Sequence, residues 1–132
     1  MTGLNKPVFE IPVRIYYEDT DAAGIVYYAN YLRFMERART EWLRGFGYAL
    51  DEIEKQYGFV FAVRTAHVEY IRPARLNDLV RVQVKVSRLG RASVDIEQGI
   101  YREQQLICHG HIKLAGLDAV TLRPMAIPIS LE

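Results

Sequence analysis

The stretch YEDTDAAGIVYYANY, from Tyr17 to Tyr31, is the most informative part of this sequence for both fold and chemistry. It places three carboxylates, Glu18, Asp19 and Asp21, at the end of a strand-like run and follows them with Ala22-Ala23-Gly24. The chain then enters a long amphipathic helix. Backbone N–H groups at a helix start have no partner inside the helix, so they can polarise a carbonyl oxygen. A carboxylate beside such groups would supply half of an acyl-transfer site.

Length, composition and charge limit the possible classes of protein. The 132 residues are predicted to form a single domain, residues 1–132, because this length supports one modest core. The formal net charge of +1 gives no support to a nucleic-acid partner, since such proteins usually carry a strong basic excess. Cys108 is the only cysteine, which excludes an intramolecular disulfide and suits a reducing compartment.

The N-terminal sequence MTGLNKPVFEIP lacks the apolar run of a signal peptide. No segment approaches the apolar length of a membrane span. We therefore expect a cytoplasmic protein with no stable membrane insertion.

Two helices are predicted in the first half of the chain. From Tyr31 to Phe46, apolar residues recur at steps of three and four, which indicates one buried helical face. Asn30 is the expected N-cap, and Gly45 or Gly47 the expected stop. A short second helix is predicted over Leu50 to Tyr57, ending near the glycine that follows.

The remaining segments alternate with period two, which is typical of half-buried antiparallel strands. Val8 to Tyr17 is the first predicted strand, and Pro12 places it at a sheet edge because proline cannot donate to the ladder. Further strands are predicted near residues 59–71, 80–86, 92–97 and 106–114. One long helix with about five antiparallel strands predicts an α+β fold.

The run D-x-D-x-x-G-x-V-Y-x-x-x-Y, from Asp19 to Tyr31, resembles the small hotdog-fold acyl-CoA thioesterases. The closest branches are the 4-hydroxybenzoyl-CoA thioesterase and the Tol–Pal-associated acyl-CoA thioesterase. The resemblance covers nearly the whole chain, is densest over Val13–Arg44, and returns at VEYIRPARLNDLVRV, Val68 to Val82. It implies a hotdog fold, an antiparallel sheet of about five strands wrapped around one long helix. It also implies hydrolysis of an acyl-CoA to a carboxylic acid and coenzyme A, with no separate cofactor.

In the family pattern the catalytic aspartate is the second Asp of D-x-D, which is Asp21 here. It could act as a general base on water or attack the carbonyl itself, and the sequence leaves both routes open. The resemblance also implies that the backbone N–H of Tyr28 polarises the carbonyl. Asp19 is expected to be a capping or turn acceptor.

Position 28 separates this chain from many Tol–Pal-associated members, which carry a histidine there. The hydroxybenzoyl branch carries tyrosine, as this chain does, so a mechanism that relies on that histidine does not apply. Gly24, Val26 and Tyr27 are expected to contribute to substrate binding. Core aromatics beside a helix start are the alternative interpretation of Tyr27, Tyr28 and Tyr31, and the preferred one for Tyr31.

Arg88 and Arg91 flank Leu89-Gly90 in a predicted hairpin turn, with Ser93 just beyond. In hotdog thioesterases this turn region often carries basic residues that meet the phosphates of coenzyme A, and arginine suits phosphate oxygens well. An ordinary solvated turn is the alternative. Three more basic residues are further candidates: Arg72, Arg75 and Lys85.

No metal site and no nucleophilic cysteine are predicted. A calcium loop around the acidic triplet would need an oxygen ligand at Ala23 and a carboxylate at Asn30, and both are missing. His109 and His111 share the polar face of one predicted strand, but no third ligand follows them. Cys108 lies on the apolar face, which indicates a buried thiol.

Two other functions are alternatives to the thioesterase. A binding module that docks acyl carrier protein or a cell-envelope complex, with weak turnover, is disfavoured by intact Asp21 and the Gly24 turn. A dehydratase or hydratase would place a histidine near the reacting centre, and none lies near this motif. Exposed sheet edges predict a homodimer or homotetramer. Acyl chain length, aromatic or aliphatic preference, and coenzyme A or acyl carrier protein as the carrier stay open.

Overall fold

One antiparallel sheet of five strands and two helices make up the fold in the computed structural model, which describes residues 8–131. The elements in chain order are β1 Phe9–Arg14, α1 Asn30–Gly45, α2 Leu50–Tyr57, β2 Phe59–Tyr70, β3 Leu79–Leu89, β4 Ser93–Arg102 and β5 Gln105–Asp118. The strand order across the sheet is β1-β3-β4-β5-β2. The predicted α+β class is confirmed.

Strand β1 lies at one edge of the sheet, as Pro12 predicts. It pairs with β3, and Pro12 stands opposite Arg81. The strand ends at Arg14 and not at Tyr17 as predicted, because the chain turns there into a short 3-10 turn, Tyr17–Asp19. Only a sheet edge tolerates a residue without an N–H in this way.

Helix α1 buries one face against the sheet, and its buried residues recur at steps of one, three and four: Tyr31, Phe34, Met35, Ala38, Trp42 and Leu43. The predicted N-cap is wrong by one residue, because Ala29 occupies that position and Asn30 is the first helical residue. The Asn30 side chain instead donates its Nδ2–H to the carbonyl oxygen of Asp19, at 3.0 Å. The helix start is therefore tied to the acidic loop rather than capped.

Glycines end both helices as predicted. Helix α1 ends at Gly45, and Gly47 takes a φ of 93°, which side chains disfavour. Helix α2 covers the predicted residues, and Gly58 follows it at a φ of 61° while donating its N–H to the Glu54 carbonyl at 2.9 Å.

The core lies between α1 and the inner face of the sheet. The β3 valines Val80, Val82 and Val84 are buried, as their alternation predicts. On β5, a Cβ at Gly110 would lie 2.8 Å from the Met35 sulfur, so this glycine lets the helix approach the strand closely.

One buried polar side chain joins α1 to β4. Gln98 is fully buried, donates its Nε2–H to the Met35 carbonyl at 2.9 Å, and accepts a hydrogen bond from Arg39 Nη1 at 3.0 Å. Buried polar groups are costly unless they are hydrogen-bonded, and both ends of this amide are.

The outer face of the sheet carries acidic residues on β4 opposite basic residues on β5. Asp95 lies 3.9 Å from Lys113 Nζ and 4.0 Å from His111 Nε2, measured from its Oδ1 atom. No group of three histidine, cysteine, aspartate or glutamate side chains within residues 8–131 is arranged to hold a metal ion. None of the helices in that same range is long and apolar enough to cross a membrane.

Strand β2 lies at the other edge of the sheet, where it pairs with β5. It is 12 residues long, and its middle is exposed from Val63 to His67, with Val63 itself 51% exposed. A long edge strand with free N–H and C=O groups is a template for pairing with another strand.

We expect two copies of the chain to pair along β2. Sedimentation should give twice the mass of one chain at micromolar concentration. In hydrogen exchange, the amides of β2 that point away from β5 should be protected, because a second strand would accept their hydrogen bonds. The outward amides of β1 serve as the control and should exchange quickly. A monomer across the micromolar range, with both edges unprotected, would contradict the pairing.

Candidate functional site

Asp21 lies at the tip of a short hairpin between the 3-10 turn and α1. Its N–H donates to the Ile25 carbonyl at 2.9 Å, and its carbonyl accepts the Gly24 N–H at 3.0 Å. Gly24 has a φ of 77°, so glycine suits this tight turn for a backbone reason. The side chain is exposed, and within residues 8–131 it accepts one hydrogen bond, from the Ala23 N–H to Oδ1 at 2.9 Å. The second carboxylate oxygen is therefore free to act on a ligand or a water.

Asp19 has the opposite environment, because it is only 7% exposed. Its Oδ2 atom accepts the Tyr16 N–H at 2.8 Å, and its carbonyl accepts the Tyr27 N–H at 3.0 Å. Asp19 is thus the turn acceptor that the sequence predicts, and its two hydrogen bonds hold the hairpin together. Glu18, beside it, is exposed.

The same hairpin connects Asp21 to the start of α1. Its rungs are the bond from Asp21 to Ile25, the bridge between Thr20 and Val26, and the bond from Tyr27 to Asp19. Tyr28 follows directly on the second side. Neither the Tyr28 nor the Ala29 N–H donates a hydrogen bond to any residue between 8 and 131. An exposed carboxylate and two backbone donors without acceptors therefore share one small hairpin.

The segment 71–78, between β2 and β3, is hydrogen-bonded to the hairpin. Ala74 accepts the Val26 N–H at 2.9 Å and donates its own N–H to the Tyr31 hydroxyl at 3.0 Å. Tyr31 is 3% exposed, as its core interpretation predicts. Val26 is also buried, at 4% exposure, and packs into the core rather than presenting its side chain at the surface.

Exposed aromatic rings lie beside the free amides. The ring centroids of Tyr27 and Tyr28 are 5.0 Å apart, and those of Tyr28 and Tyr70 are 5.8 Å apart in an edge-to-face arrangement. Tyr27, Tyr28 and Tyr70 are 50%, 59% and 46% exposed. Sequence reasoning did not single out Tyr70. Tyr70 is the last residue of β2, and no pattern in the sequence indicates that its ring meets Tyr28.

The predicted hairpin turn at Arg88 to Arg91 is confirmed, and the Gly90 N–H closes it by donating to the Ser93 carbonyl at 2.8 Å. The turn lies at the opposite end of the sheet from Asp21. Strand β3 begins beside the hairpin, where Asp78 accepts the Ile15 N–H, and runs 11 residues to the turn. At about 3.3 Å per residue the two ends are roughly 33 Å apart. One chain therefore does not bring Arg88, Arg91 or Ser93 together with Asp21.

Two of the further arginine candidates lie nearer. Arg72 and Arg75 are on segment 71–78, and the backbone of Arg75 forms a bridge with Ile25 on the hairpin. Lys85 lies within β3.

The thiol of Cys108 has no part in this site. Its side chain is fully buried, and burial raises the pKa of the thiol to about 12. At neutral pH it stays protonated, and only the thiolate is a strong nucleophile.

Comparison with known proteins gives one consistent result. Residues 15–132 match the thioesterase-like superfamily. The chain is 39% identical over 120 residues to the acyl-CoA thioesterase YbgC of Haemophilus influenzae, covering 91% of this chain and 88% of that protein. It is 37% identical over 129 residues to the acyl-CoA thioester hydrolase YbgC of Escherichia coli, covering 97% and 96%.

The fold is similar to that of solved thioesterases. The crystal structure of a probable thioesterase from Bartonella henselae superposes with a TM-score of 0.88 at 29% sequence identity, covering 92% of this chain and all of that one. The expected hotdog architecture, a sheet wrapped around one long helix, is confirmed.

Tyr31→Phe should lower the free energy of unfolding by about 1–3 kcal/mol, because the buried Ala74 N–H loses its acceptor. The ring and its packing stay in place, so the loss isolates the hydroxyl. Urea unfolding measures it. Tyr17→Phe is the matched control, since Tyr17 is 81% exposed and should lose nothing. Equal stability of both variants would show that the hydroxyl does not hold segment 71–78.

Proposed function

Because this chain belongs to the thioesterase-like superfamily and is an acyl-CoA thioesterase, we propose that it cleaves its substrate at the hairpin between the 3-10 turn and α1. Asp21 supplies the reacting carboxylate. The backbone N–H of Tyr28, with that of Ala29 beside it, polarises the thioester carbonyl. The products are a carboxylic acid and free coenzyme A.

One observation carries the proposal: the exposed Asp21 carboxylate keeps one oxygen free on the same hairpin that leaves two backbone N–H groups without acceptors. The Asp19 carboxylate of the same hairpin is, in contrast, buried and paired with the Tyr16 N–H. A free acceptor beside free donors is what hydrolysis of an activated ester requires. A thioester needs one carboxylate and one source of carbonyl polarisation.

The hairpin supports two chemical routes. As a general base, Asp21 takes a proton from water while the water oxygen attacks the carbonyl carbon. As a nucleophile, a carboxylate oxygen of Asp21 attacks that carbon and forms an anhydride, which water then hydrolyses. In both routes the carbonyl oxygen gains negative charge towards the Tyr28 N–H, the carbon–sulfur bond breaks, and the thiolate takes up a proton.

We propose further that a second copy of the chain supplies the Arg88–Arg91 turn. Strand β2 runs from the turn end of the sheet, where Phe59 pairs with Asp118, to the Asp21 end, where Tyr70 pairs with Cys108. Antiparallel pairing of two β2 strands about a two-fold axis reverses this direction in the second copy. The turn of one chain then comes to the Asp21 end of the other, where its arginines can meet the phosphates of coenzyme A.

Asp21→Asn should lower kcat by roughly 10²–10⁴-fold, because the amide is neither a base nor an anionic nucleophile. The side chain keeps its size, and its oxygen can still accept the Ala23 N–H, so the hairpin should survive. The measurement is thiol release from one good acyl-CoA substrate, with circular dichroism to confirm folding.

Asp19→Asn is the matched control for this experiment. It removes the neighbouring charge but keeps an acceptor for the Tyr16 N–H, so it should cost much less activity. Equal and small losses in the two variants would remove Asp21 from the mechanism and favour a binding module with weak turnover.

Arg88→Ala combined with Arg91→Ala should raise KM and leave kcat nearly unchanged. Lost contacts to phosphates weaken the substrate complex and the transition state alike. Rising salt should reduce the difference from wild type, because it screens the same attraction. Arg37→Ala combined with Arg44→Ala removes two exposed arginines of α1 and should leave KM unchanged. A wild-type KM in the Arg88 and Arg91 variant at low salt would show that the turn is an ordinary solvated surface that does not bind the substrate.

A further inference from the structure

The start of α1 is held without a side-chain cap. Ala29 occupies the N-cap position, and its side chain offers no hydrogen-bond acceptor. Serine, threonine, aspartate or asparagine normally accepts an N–H there and fixes the first turn. The peptides that carry the Tyr28 and Ala29 N–H groups are held through their carbonyls, which accept the N–H groups of Asn30 at 2.8 Å and Tyr31 at 3.3 Å. Side-chain contacts of Tyr28 add to these bonds.

The ring of Tyr28 makes such contacts. It lies 5.0 Å from the Tyr27 ring and 5.8 Å from the Tyr70 ring, with an interplanar angle of 82° to Tyr70. Edge-to-face pairs at this separation are favourable for aromatic rings. Tyr27 precedes Tyr28 in the chain and moves with it, whereas Tyr70 comes from a different element. Tyr70 is therefore the ring contact that fixes Tyr28 relative to the sheet.

Tyr70 is itself well fixed. Its ring lies 5.7 Å from that of Tyr31, which is buried and hydrogen-bonded to Ala74. Directly after it, the N–H groups of Ile71 and Arg72 both donate to the Ile107 carbonyl, at 2.9 and 3.0 Å, and hold the end of β2 on β5. A rigid strand end thus supports the ring that meets Tyr28.

We propose that Tyr70 is a positioning residue of the thioesterase. Its ring holds Tyr28 so that the Tyr28 N–H points at the thioester carbonyl oxygen. This inference rests on the proposed role of that N–H. The Tyr70 ring carries the effect, because its hydroxyl makes no hydrogen bond to any residue from 8 to 131.

The physical reason is the steep dependence of catalysis on donor position. A backbone donor stabilises the developing oxyanion only within a narrow range of distance and direction. Small misplacements of a reacting or stabilising group cost large factors in rate. The Tyr28 ring is already 59% exposed, and loss of the Tyr70 ring removes its contact with the sheet. The peptide that carries the donor then keeps only its backbone bond, from the Asn30 N–H to the Tyr27 carbonyl at 2.8 Å.

The test compares Tyr70→Leu with Tyr70→Phe on one acyl-CoA substrate. Tyr70→Leu should lower kcat by about 10-fold, a fraction of the 10²–10³-fold cost of losing an oxyanion donor outright, and change KM by less than about twofold. Tyr70→Phe should restore kcat to wild type. Tyr57→Leu, a change at a partly exposed tyrosine on α2, should leave both constants unchanged. Thermal unfolding of each variant measures any general loss of stability.

Two results would overturn the proposal. Wild-type kcat in Tyr70→Leu would show that the ring does not position the donor. Raised KM with unchanged kcat would make Tyr70 a substrate contact instead. Asp21→Asn, measured in parallel, separates this inference from the proposed function. If Asp21→Asn is inactive and Tyr70→Leu is not impaired, only the role of Tyr70 fails; if Asp21→Asn keeps its activity, the proposed function fails.

Discussion

The buried amide of Gln98 is the constraint on which the position of α1 depends. Both of its polar ends are satisfied by the helix, one by the Met35 carbonyl and one by the Arg39 guanidinium. Apolar packing alone would let a helix slide or rotate on a sheet, whereas a paired buried amide accepts only one placement. Gly110 on β5 has no side chain to push Met35 away, so α1 comes close enough to the sheet for Gln98 to make these hydrogen bonds. These contacts place the helix on the sheet one turn and more from its start, and the Asn30 side chain ties the start itself to the Asp19 carbonyl.

Two neighbouring aspartates show how environment separates structure from chemistry. Asp19 is buried, and its side-chain and backbone oxygens hold the two sides of the hairpin together. Asp21, at the tip, is exposed and keeps an oxygen free. The hydrogen-bonded Asp19 makes the hairpin rigid, and the rigid hairpin holds the exposed Asp21 carboxylate in place. Residue type alone does not distinguish the two roles.

Local signals in the sequence predicted most of the fold. Pro12 placed β1 at an edge, alternating valines placed β3 against the core, and the bounds of α2 followed from its pattern and Gly58. Such local signals do not predict contacts between segments that are far apart in the sequence. The meeting of Tyr70 with Tyr28 depends on how the end of β2 reaches α1, and the separation of the Arg88–Arg91 turn from Asp21 depends on sheet topology. The Asn30 cap was wrong because its amide found a better partner across the hairpin, in the Asp19 carbonyl.

The alanine at the N-cap of α1 has a consequence for protein engineering. A capping serine or aspartate is worth about 1 kcal/mol where the N-cap backbone is extended, whereas Ala29 has helical angles, φ −65° and ψ −22°. Consensus or computational stabilisation would choose that replacement first. The new oxygen would face the N–H groups of Tyr31 and Leu32, which already donate to the Tyr28 and Ala29 carbonyls. An aspartate would in addition place a negative charge beside the site where the oxyanion has to form. A thermostable variant obtained at this position is one in which stability and turnover trade against each other.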